Sequence, residues 1–421
     1  MSSRNHCARP FWKIREKSAA VIETANPIRF VIPVPNFQKS EFFVVQVVIP
    51  YPLRRLPWKM LSALFLISGV GLATLYSAAG GSWTPWALNQ AVRFTVLFGL
   101  MLGISYVPVR WMMNIAYPFY GGTLLLLAVV ELFGKIGMGA QRWIDLGFIR
   151  IQPSEFMKLA LVLTIARFYH RMPASFVQNP AVVAVTAALI GVPAALVMLQ
   201  PDLGTALMIT FAGTAILFLA GTQLRWFAGA GAAILVMLPI AWGMLHDYQQ
   251  RRVFTFLDPE SDPLGSGYHI TQSKIAIGSG GLFGKGFLNG TQSHLEYLPE
   301  THTDFIFATM MEEWGLAGGL FILACYIYII RWSLKLGLRS ASTFTRLTAA
   351  GMSFTLFLYV GINLAMVIGL APVVGIPLPL MSYGGSAMMT VLILLGILMA
   401  IYREEQSSDS GHFAKRQRYG I

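Results

Sequence analysis

The 421-residue chain is poor in charged side chains and nearly free of cysteine. Charged residues form 12% of it, against about 25% in an ordinary soluble domain. The two cysteines, Cys7 and Cys325, lie in a terminal segment and inside an apolar run, so they imply neither a disulfide nor a metal site. Basic residues outnumber acidic ones 31 to 19. No basic run is interleaved with stacking aromatic residues, so the sequence does not indicate nucleic-acid binding.

Long apolar runs are what the sequence has in abundance. Hydrophobic residues form 55% of the chain, and the mean hydropathy is +0.61. A bilayer core of about 30 Å needs roughly 20 apolar residues per helical span. The sequence therefore predicts an all-α polytopic membrane protein with about ten spans. They are placed at residues 60–79, 88–107, 112–131, 153–168, 180–199, 203–221, 225–245, 304–330, 347–369 and 385–402.

The distribution of lysine and arginine predicts the orientation. With the N-terminus inside, internal segments contain 22 of the 31 basic residues, and external loops contain seven. This is the positive-inside asymmetry, and it predicts that both termini are cytoplasmic. The large loop between spans seven and eight, residues 246–303, then lies outside. No cleavable signal peptide is predicted, because the first apolar segment is long enough to be a span.

Three regions follow from this organisation. Residues 1–51 are Pro-broken and without helical periodicity, and are predicted to be a disordered tail or to precede the true start of the protein. Residues 52–402 form the membrane domain. Residues 403–421 are polar and are predicted to be a disordered cytoplasmic tail.

Several acidic residues stand where external loops meet helices. Gln152-Pro153-Ser154-Glu155 opens the fourth span, with Pro153 suited to the first helical position. A second Gln-Pro step precedes Asp202 at the start of the sixth span.

Some charged residues fall inside the spans. Glu155 and Lys158 are at i and i+3 and can share a face, either as a structural ion pair or as part of a site. Arg93, within the second span, is expected to pair with an acid. Glu312 and Glu313 are equally compatible with interior pairing and with a site.

The segment 298–307 is the strongest candidate for a functional site. Thr301-His302-Thr303-Asp304 fits the Thr-x-x-acid capping box, which predicts that a helix starts at Thr301. A helix N-terminus favours an ionised carboxylate, as a general base requires, so the cap and a functional role for Asp304 are compatible. His302 has no second histidine at ligand spacing, which argues against zinc.

Two further segments are rich in glycine and proline. Residues 278–285 resemble a phosphate-binding loop, but Ser279 stands where that loop needs glycine. We interpret these glycines as permitting tight packing against the membrane surface. Residues 377–386 predict an irregular or re-entrant segment that lines a cavity of the protein. Asp258 and Asp262 each precede a proline and indicate turns.

The acids at external helix ends could converge on one outward-facing cavity. Arg142, Lys158 and Lys274 would be the cations available for an anion there. Such a cavity suits a lipid-linked, phosphorylated substrate. An oxygen-rich site of this kind suits Mg²⁺ or Mn²⁺, although the sequence contains no dedicated set of ligands. The residues alone do not separate an enzyme from a transporter.

From about residue 52 to residue 402 the chain resembles the SEDS family (shape, elongation, division and sporulation proteins), most closely its RodA branch. The motifs that carry the resemblance are Gly139-Ala140-Gln141-Arg142-Trp143, residues 152–155, 200–204, 258–268 and 298–307, and Pro379-Leu380-Met381-Ser382-Tyr383-Gly384-Gly385-Ser386.

The resemblance implies an inverting peptidoglycan glycosyltransferase of the bacterial inner membrane that polymerises lipid II during cell elongation. The implied partners are a class B penicillin-binding protein and other membrane proteins of the elongation complex. The essential aspartate of the family matches Asp304, and a conserved tryptophan matches Trp143. The predicted substrate-binding set is Arg142, Trp143, Glu155, Lys158, Asp202, Lys274, Glu300, His302, Ser382, Tyr383 and Ser386.

Two other functions remain open at this point. A lipid II flippase or other transporter should show polar residues through its whole depth and often an inverted repeat, whereas here the polar residues concentrate at the outer end. A non-catalytic scaffold of the elongation machinery would leave Asp304 dispensable.

Overall fold

The structure is a computed structural model. It describes residues 29–30, 45–46, 56–133, 135–137, 140–145, 150–244, 250, 254–256, 258, 266–294 and 301–419. The chain divides into two units, Met1–Leu56 and Pro57–Ile421. In the first unit, two short antiparallel strands, β1 (Arg29–Phe30) and β2 (Val45–Gln46), pair with each other. The remainder of the predicted N-terminal tail lies outside the described residues.

The second unit is built from helices. In chain order they are α1 (Trp58–Ala78), α2 (Ala87–Ser105), α3 (Val109–Phe133), α4 (Pro153–His170), α5 (Pro180–Leu199), α6 (Leu203–Leu219), α7 (Leu224–Met244), α8 (Ser266–Ser279), α9 (Thr291–His294), α10 (Ile306–Arg339), α11 (Thr343–Val367) and α12 (Gly385–Tyr419). A 3₁₀ turn, Ala174–Phe176, lies between α4 and α5.

The helices confirm the predicted polytopic fold, with one helix at each of the ten predicted spans. Within the described residues, seven helices are long and apolar enough to cross a membrane, namely α1, α2, α3, α5, α10, α11 and α12. Two more, Leu203–Leu219 and Leu224–Ile240, are apolar but shorter. Helix α4 carries the charged pair and is buried along most of its length, with Pro153 in its first turn as predicted.

The helices differ in what surrounds them. The charged helix α4 lies in the core, in contact with α3, α6 and α11. By contrast, α7 exposes a run of large apolar side chains, among them Leu235 and Val236. A helix that is apolar all round and exposed in this way is suited to contact with lipid.

The first large loop folds into a small sheet that the sequence analysis did not predict. Strands β3 (Lys135–Gly137), β4 (Ala140–Asp145) and β5 (Arg150–Ile151) are antiparallel in the order β3-β4-β5. Central strand β4 carries Arg142 and Trp143, so the sheet fixes the position of both residues beside the N-terminal end of α4.

Helix α10 is broken near its N-terminal end, where Gly315 has φ +65° and ψ −166°. The Gly-rich segment 280–286 fills the break. Four backbone hydrogen bonds join the two, with donor–acceptor distances of 2.9–3.0 Å: Lys285 N to Glu312 O, Gly286 N to Glu313 O, Leu316 N to Gly281 O and Ala317 N to Leu282 O. The glycines therefore permit packing against a helix backbone, not against the membrane surface as predicted.

The C-terminal tail also differs from prediction. Helix α12 continues to Tyr419, so the polar segment after Arg403 is helical rather than disordered.

Candidate functional site

The motif that contains Asp304 forms a turn, not a capping box. Helix α10 starts at Ile306 with Phe305 as its N-cap, and no side chain caps it. Thr301 is therefore not the N-cap, and the predicted helix start is wrong by about one turn. The reason is tertiary: the backbone of this turn is bound by donors from two other parts of the chain.

Three consecutive carbonyl groups of this turn accept hydrogen bonds from outside it. The backbone N–H of Tyr383 donates to the carbonyl of His302 at 2.8 Å. The Ser382 hydroxyl donates to the carbonyl of Thr303 at 2.6 Å. The Asn363 amide donates to the carbonyl of Asp304 at 2.9 Å. These donors fix the turn, while Asp304 itself stays partly exposed.

One face of α2 and the residue before it form a wall beside this turn. The ring of Trp86 stacks on His302 with centroids 4.3 Å apart and an interplanar angle of 9°. Gln90, one turn later, donates to the carbonyl of Ser382 at 2.8 Å. Arg93 continues the face, with its guanidinium 4.6 Å from the centre of the Tyr383 ring. The expected acidic partner of Arg93 is absent among the described residues, and an aromatic ring takes its place.

The segment between α11 and α12 is irregular, as predicted, and its residues 376 and 378–382 are buried. Asn363 donates a second hydrogen bond to the carbonyl of Ile376 in this segment, at 2.8 Å. The neighbouring Gly375 is exposed and has φ +70°. A Cβ atom on Gly375 would lie 3.5 Å from Oδ2 of Asp304, so this glycine leaves one side of the carboxylate open.

Asp202 forms a second group of contacts. It caps α6 by accepting from the N–H of Thr205 at 3.2 Å and from its hydroxyl at 2.9 Å. Gln152 donates to the same carboxylate at 3.3 Å, and the Arg142 guanidinium lies 3.8 Å from it. Arg142 also donates to the carbonyls of Gln200 and Pro201. Arg142 is therefore already engaged in holding the start of α6.

Glu155 and Lys158 form a buried ion pair of 2.6 Å. Tyr359 donates its hydroxyl to the other oxygen of Glu155, and the Lys158 ammonium lies 4.2 Å from the centre of the Tyr359 ring. Lys158 is only 1% exposed. The structural interpretation of the pair is favoured, because an ammonium enclosed in this way is not accessible to a substrate.

These groups meet around the C-terminal end of α11. Tyr359 and Asn363 are four residues apart, so they lie on one face of that helix, about 5–6 Å apart at their Cβ atoms. One binds Glu155 and the other binds the backbone of Asp304. Gly204, just after Asp202, packs against the segment 374–376. These contacts connect Glu155, Asp202 and Asp304 through α11 and the segment 374–376, and their convergence on one cavity stays a prediction.

The remaining predicted site residues are distributed over several elements of the fold. Trp143 is partly exposed on β4, and Ser386 is buried in the first turn of α12. Lys274 is exposed on α8 and packs beside Gly369. Asp258 is exposed, and its N–H donates to the carbonyl of Phe254 at 2.8 Å. Glu300 and Asp262 lie outside the described residues.

Glu312 and Glu313 stabilise the broken helix. The Glu312 carboxylate, which is fully buried, accepts from Lys285 at 2.6 Å and from the backbone N–H groups of Thr291 and Gln292 at 2.9 and 3.0 Å. Glu313 accepts from the hydroxyl of Ser77 at the end of α1. Both carboxylates therefore hold the outer part of α10 in place.

Among the described residues, this arrangement does not provide a set of ligands for a resident divalent cation. Within the described residues, no group of three or more His, Cys, Asp or Glu side chains could hold a metal ion. The carboxylates of Asp202 and Glu155 are already occupied by protein donors.

Sequence reasoning missed Asn363, Tyr359, Trp86 and Gln90. A signal was present for Asn363, the single amide in the apolar stretch 354–371, because polar groups at membrane depth are costly and need a partner or a function. Nothing in the sequence indicated which backbone groups it would bind.

The comparisons with known proteins agree with this picture. Residues 54–407 match the family model FTSW_RODA_SPOVE, described as "Cell cycle protein". The chain is 49% identical over 306 residues to peptidoglycan glycosyltransferase MrdB of Escherichia coli (strain K12), covering 72% of this chain and 82% of that one.

Two solved structures share the fold. One comes from work described as "Structural coordination of polymerization and crosslinking by a peptidoglycan synthase complex", with a TM-score of 0.73, 31% identity, and coverage of 83% of this chain and 98% of that one. The other is rod shape determining protein RodA of Thermus thermophilus, with a TM-score of 0.64, 28% identity, and coverage of 83% and 97%. The chain, a multi-pass protein of the bacterial inner membrane, belongs to the FtsW/RodA/SpoVE family of cell cycle proteins.

Proposed function

We propose that this protein is a peptidoglycan glycosyltransferase that polymerises lipid II into glycan strands during cell elongation. Over 306 residues it is 49% identical to a relative that bears that name. The catalytic assignment rests on Asp304. This residue is partly exposed, and it lies on a turn whose three successive carbonyls all accept hydrogen bonds from other parts of the chain. A fixed backbone with an accessible carboxylate is what a general base requires.

In the proposed reaction, Asp304 accepts the proton of the 4-hydroxyl of the acceptor GlcNAc. The oxygen forms a bond to the anomeric carbon of the donor MurNAc, and the bond from that carbon to the pyrophosphate oxygen breaks. Undecaprenyl pyrophosphate leaves, and the configuration at the anomeric carbon inverts. General-base assistance of this kind contributes about 10²–10⁴-fold to the rate.

We infer that the reaction takes place at the outer face of the membrane. We infer that both termini are cytoplasmic, from the lysine and arginine distribution. The turn at 301–305, the loop sheet at 135–151 and the segment 368–384 then all lie on the periplasmic side. Lipid II presents its sugars there after it has crossed the membrane.

A class B penicillin-binding protein is the proposed transpeptidase partner. The structural neighbour with the TM-score of 0.73 comes from a peptidoglycan synthase complex that coordinates polymerization and crosslinking. Other membrane proteins of the elongation machinery are further proposed partners.

The test uses the purified full chain, with and without its transpeptidase partner, and lipid II as substrate. Polymer is measured for the wild type, Asp304→Ala and Asp304→Asn. We expect glycan strands from the wild type and a loss of about 10²-fold or more in both variants. Equal polymer from Asp304→Ala would show that the catalytic assignment is wrong. Lipid transfer across vesicles with no polymer from any variant would favour the flippase.

A further inference from the structure

We propose that Arg93 binds the pyrophosphate of the lipid-linked substrate and of the leaving group. This inference rests on the proposed function, since the anion is that of the proposed substrate. The pyrophosphate gains charge as the glycosidic bond forms, and a fixed cation beside it stabilises the transition state. Such a cation must lie within reach of both the membrane and the Asp304 turn.

Three other cations of the described residues, Lys158, Lys285 and Arg142, are already neutralised, whereas Lys274 is exposed on α8 beside Gly369. Lys158 is paired with Glu155, and Lys285 is paired with Glu312, each at 2.6 Å. Arg142 is bound to Asp202 and two carbonyls. Within the described part of the chain, no carboxylate forms an ion pair with Arg93, and its recorded contact is the Tyr383 ring. A charged residue inside a span without a counter-ion is costly, which indicates a function.

The place of Arg93 on α2 suits a ligand that arrives from the membrane. Arg93 is six residues after Ala87, the first residue of the helix, which is ~9 Å below its outer end. Side chains on a helix point towards its N-terminus, so the guanidinium is raised towards the outer face. Val92 and Val96 on the same helix are 57% and 67% exposed, as lipid-facing residues are. Arg93 is half-buried at the border of that face.

The space beside Arg93 is open and adjoins the proposed base. A Cβ atom on Gly384 would meet no atom within 4 Å, and one on Gly385 would lie 3.9 Å from Cδ of Arg93. Tyr383, under the guanidinium, is the residue whose N–H holds the carbonyl of His302. The same turn carries Asp304. A pyrophosphate on Arg93 would thus place the anomeric carbon of its sugar on the side of Asp304.

Arginine fits this role better than lysine would. Its planar guanidinium can lie on the Tyr383 ring and still present several N–H groups to phosphate oxygens. The two glycines remove side chains that would compete for the same space. The polyprenyl chain would run along the exposed face of α2.

The experiment measures binding rather than turnover. The full chain in nanodiscs is titrated with labelled undecaprenyl pyrophosphate, and undecaprenol serves as the tail-only control. We expect Arg93→Leu to weaken pyrophosphate binding about 10- to 100-fold, as loss of a charged hydrogen-bonding group does. Arg93→Lys should lose less. Arg110→Leu removes the same charge from the start of α3, at the opposite end of the spans, and should bind as the wild type does.

Three outcomes would overturn the proposal. Arg93→Leu could bind undecaprenyl pyrophosphate as tightly as Arg110→Leu does. It could weaken the binding of undecaprenol as much as that of undecaprenyl pyrophosphate. The wild type could bind undecaprenyl pyrophosphate no more tightly than undecaprenol. Failure of the catalytic assignment gives a different pattern. Asp304→Ala would then polymerise lipid II normally, while the difference in binding between Arg93→Leu and the wild type persists.

Discussion

The side-chain amide of Asn363 links the backbone of Asp304 to that of Ile376, with hydrogen bonds of 2.9 and 2.8 Å. Asn363 is fully buried, one turn after Tyr359 on α11. Tyr359 binds Glu155, so a single helix face joins the ion pair in the core to the turn that carries the proposed base. The orientation of Asp304 therefore depends on α11, although that helix carries none of the predicted site residues.

Replacing Asn363 by alanine should reduce the turnover of lipid II more than its binding. The variant removes the donor that fixes the carbonyl of Asp304, and a displacement of about 1 Å can cost about 10²-fold in rate. The readout is kcat and KM for polymerisation, with thermal stability in parallel. Ser353→Ala is the matched control, because Ser353 is buried on the same helix and donates to the carbonyl of Ile330 at 3.0 Å. A kcat equal to that of the control would contradict the prediction.

Removing Lys158 should destabilise the protein strongly. Lys158→Met leaves the carboxylate of Glu155 buried without its cation, which costs about 3–5 kcal/mol. The double variant Lys158→Met/Glu155→Gln should recover part of this loss, because it leaves no buried charge unpaired. Thermal unfolding in detergent measures both. If the double variant proves less stable than Lys158→Met, the pair contributes something other than charge compensation.

Glu312→Gln should loosen the loop that fills the break in α10. Glutamine keeps the shape but replaces one acceptor oxygen and the negative charge, at a cost of about 1.5–3 kcal/mol for hydrogen bonds to a charged group. Hydrogen exchange of residues 280–294 measures the loosening. Lys285→Met removes only the partly exposed cation and leaves the backbone donors of Thr291 and Gln292 in place, so its effect should be smaller. Equal exchange in both variants would show that the ion pair alone holds the loop.

Gly315→Ala should destabilise the outer part of α10. Gly315 has φ +65°, and a Cβ there would collide with the backbone of Gly284 and Leu282. The backbone strain alone costs about 1–3 kcal/mol. Gly278→Ala is the control, since no atom lies within 4 Å of its Cβ position and alanine favours the helical conformation of α8. Thermal unfolding should separate the two variants by several degrees, and equal melting temperatures would contradict the prediction.

Trp86→Leu should lower polymerisation by about 2- to 10-fold, because an aromatic pair contributes about 0.5–1.5 kcal/mol beyond its buried area. The lost stack is the one that holds His302 beside Asp304. Trp83→Leu provides the comparison, since Trp83 is 59% exposed and its ring lies against Tyr76. Initial rates with lipid II measure both variants. A larger loss in Trp83→Leu would assign the effect to the loop as a whole.

Local sequence was enough to predict the helices. It was also enough to predict those helix ends at which a side chain caps the adjacent backbone. Apolar runs of about 20 residues can satisfy their backbone groups in lipid only as helices, so all ten spans were predictable. Asp202 caps α6 because its carboxylate needs only the N–H of Thr205, three residues away. The pairing of Glu155 with Lys158 also follows from a spacing within one turn.

The sequence by itself determined the polytopic helical fold and, through its resemblance to a known family, singled out Asp304 as the proposed base. Only the tertiary structure decided which donors hold the backbone of the turn that carries it. The carbonyls of the Asp304 turn bind donors 59 to 81 residues further along the chain, and the Gly-rich segment enters a helix that starts after it. Contacts of that range leave no local pattern, because either partner alone resembles an ordinary helix cap, loop or buried amide.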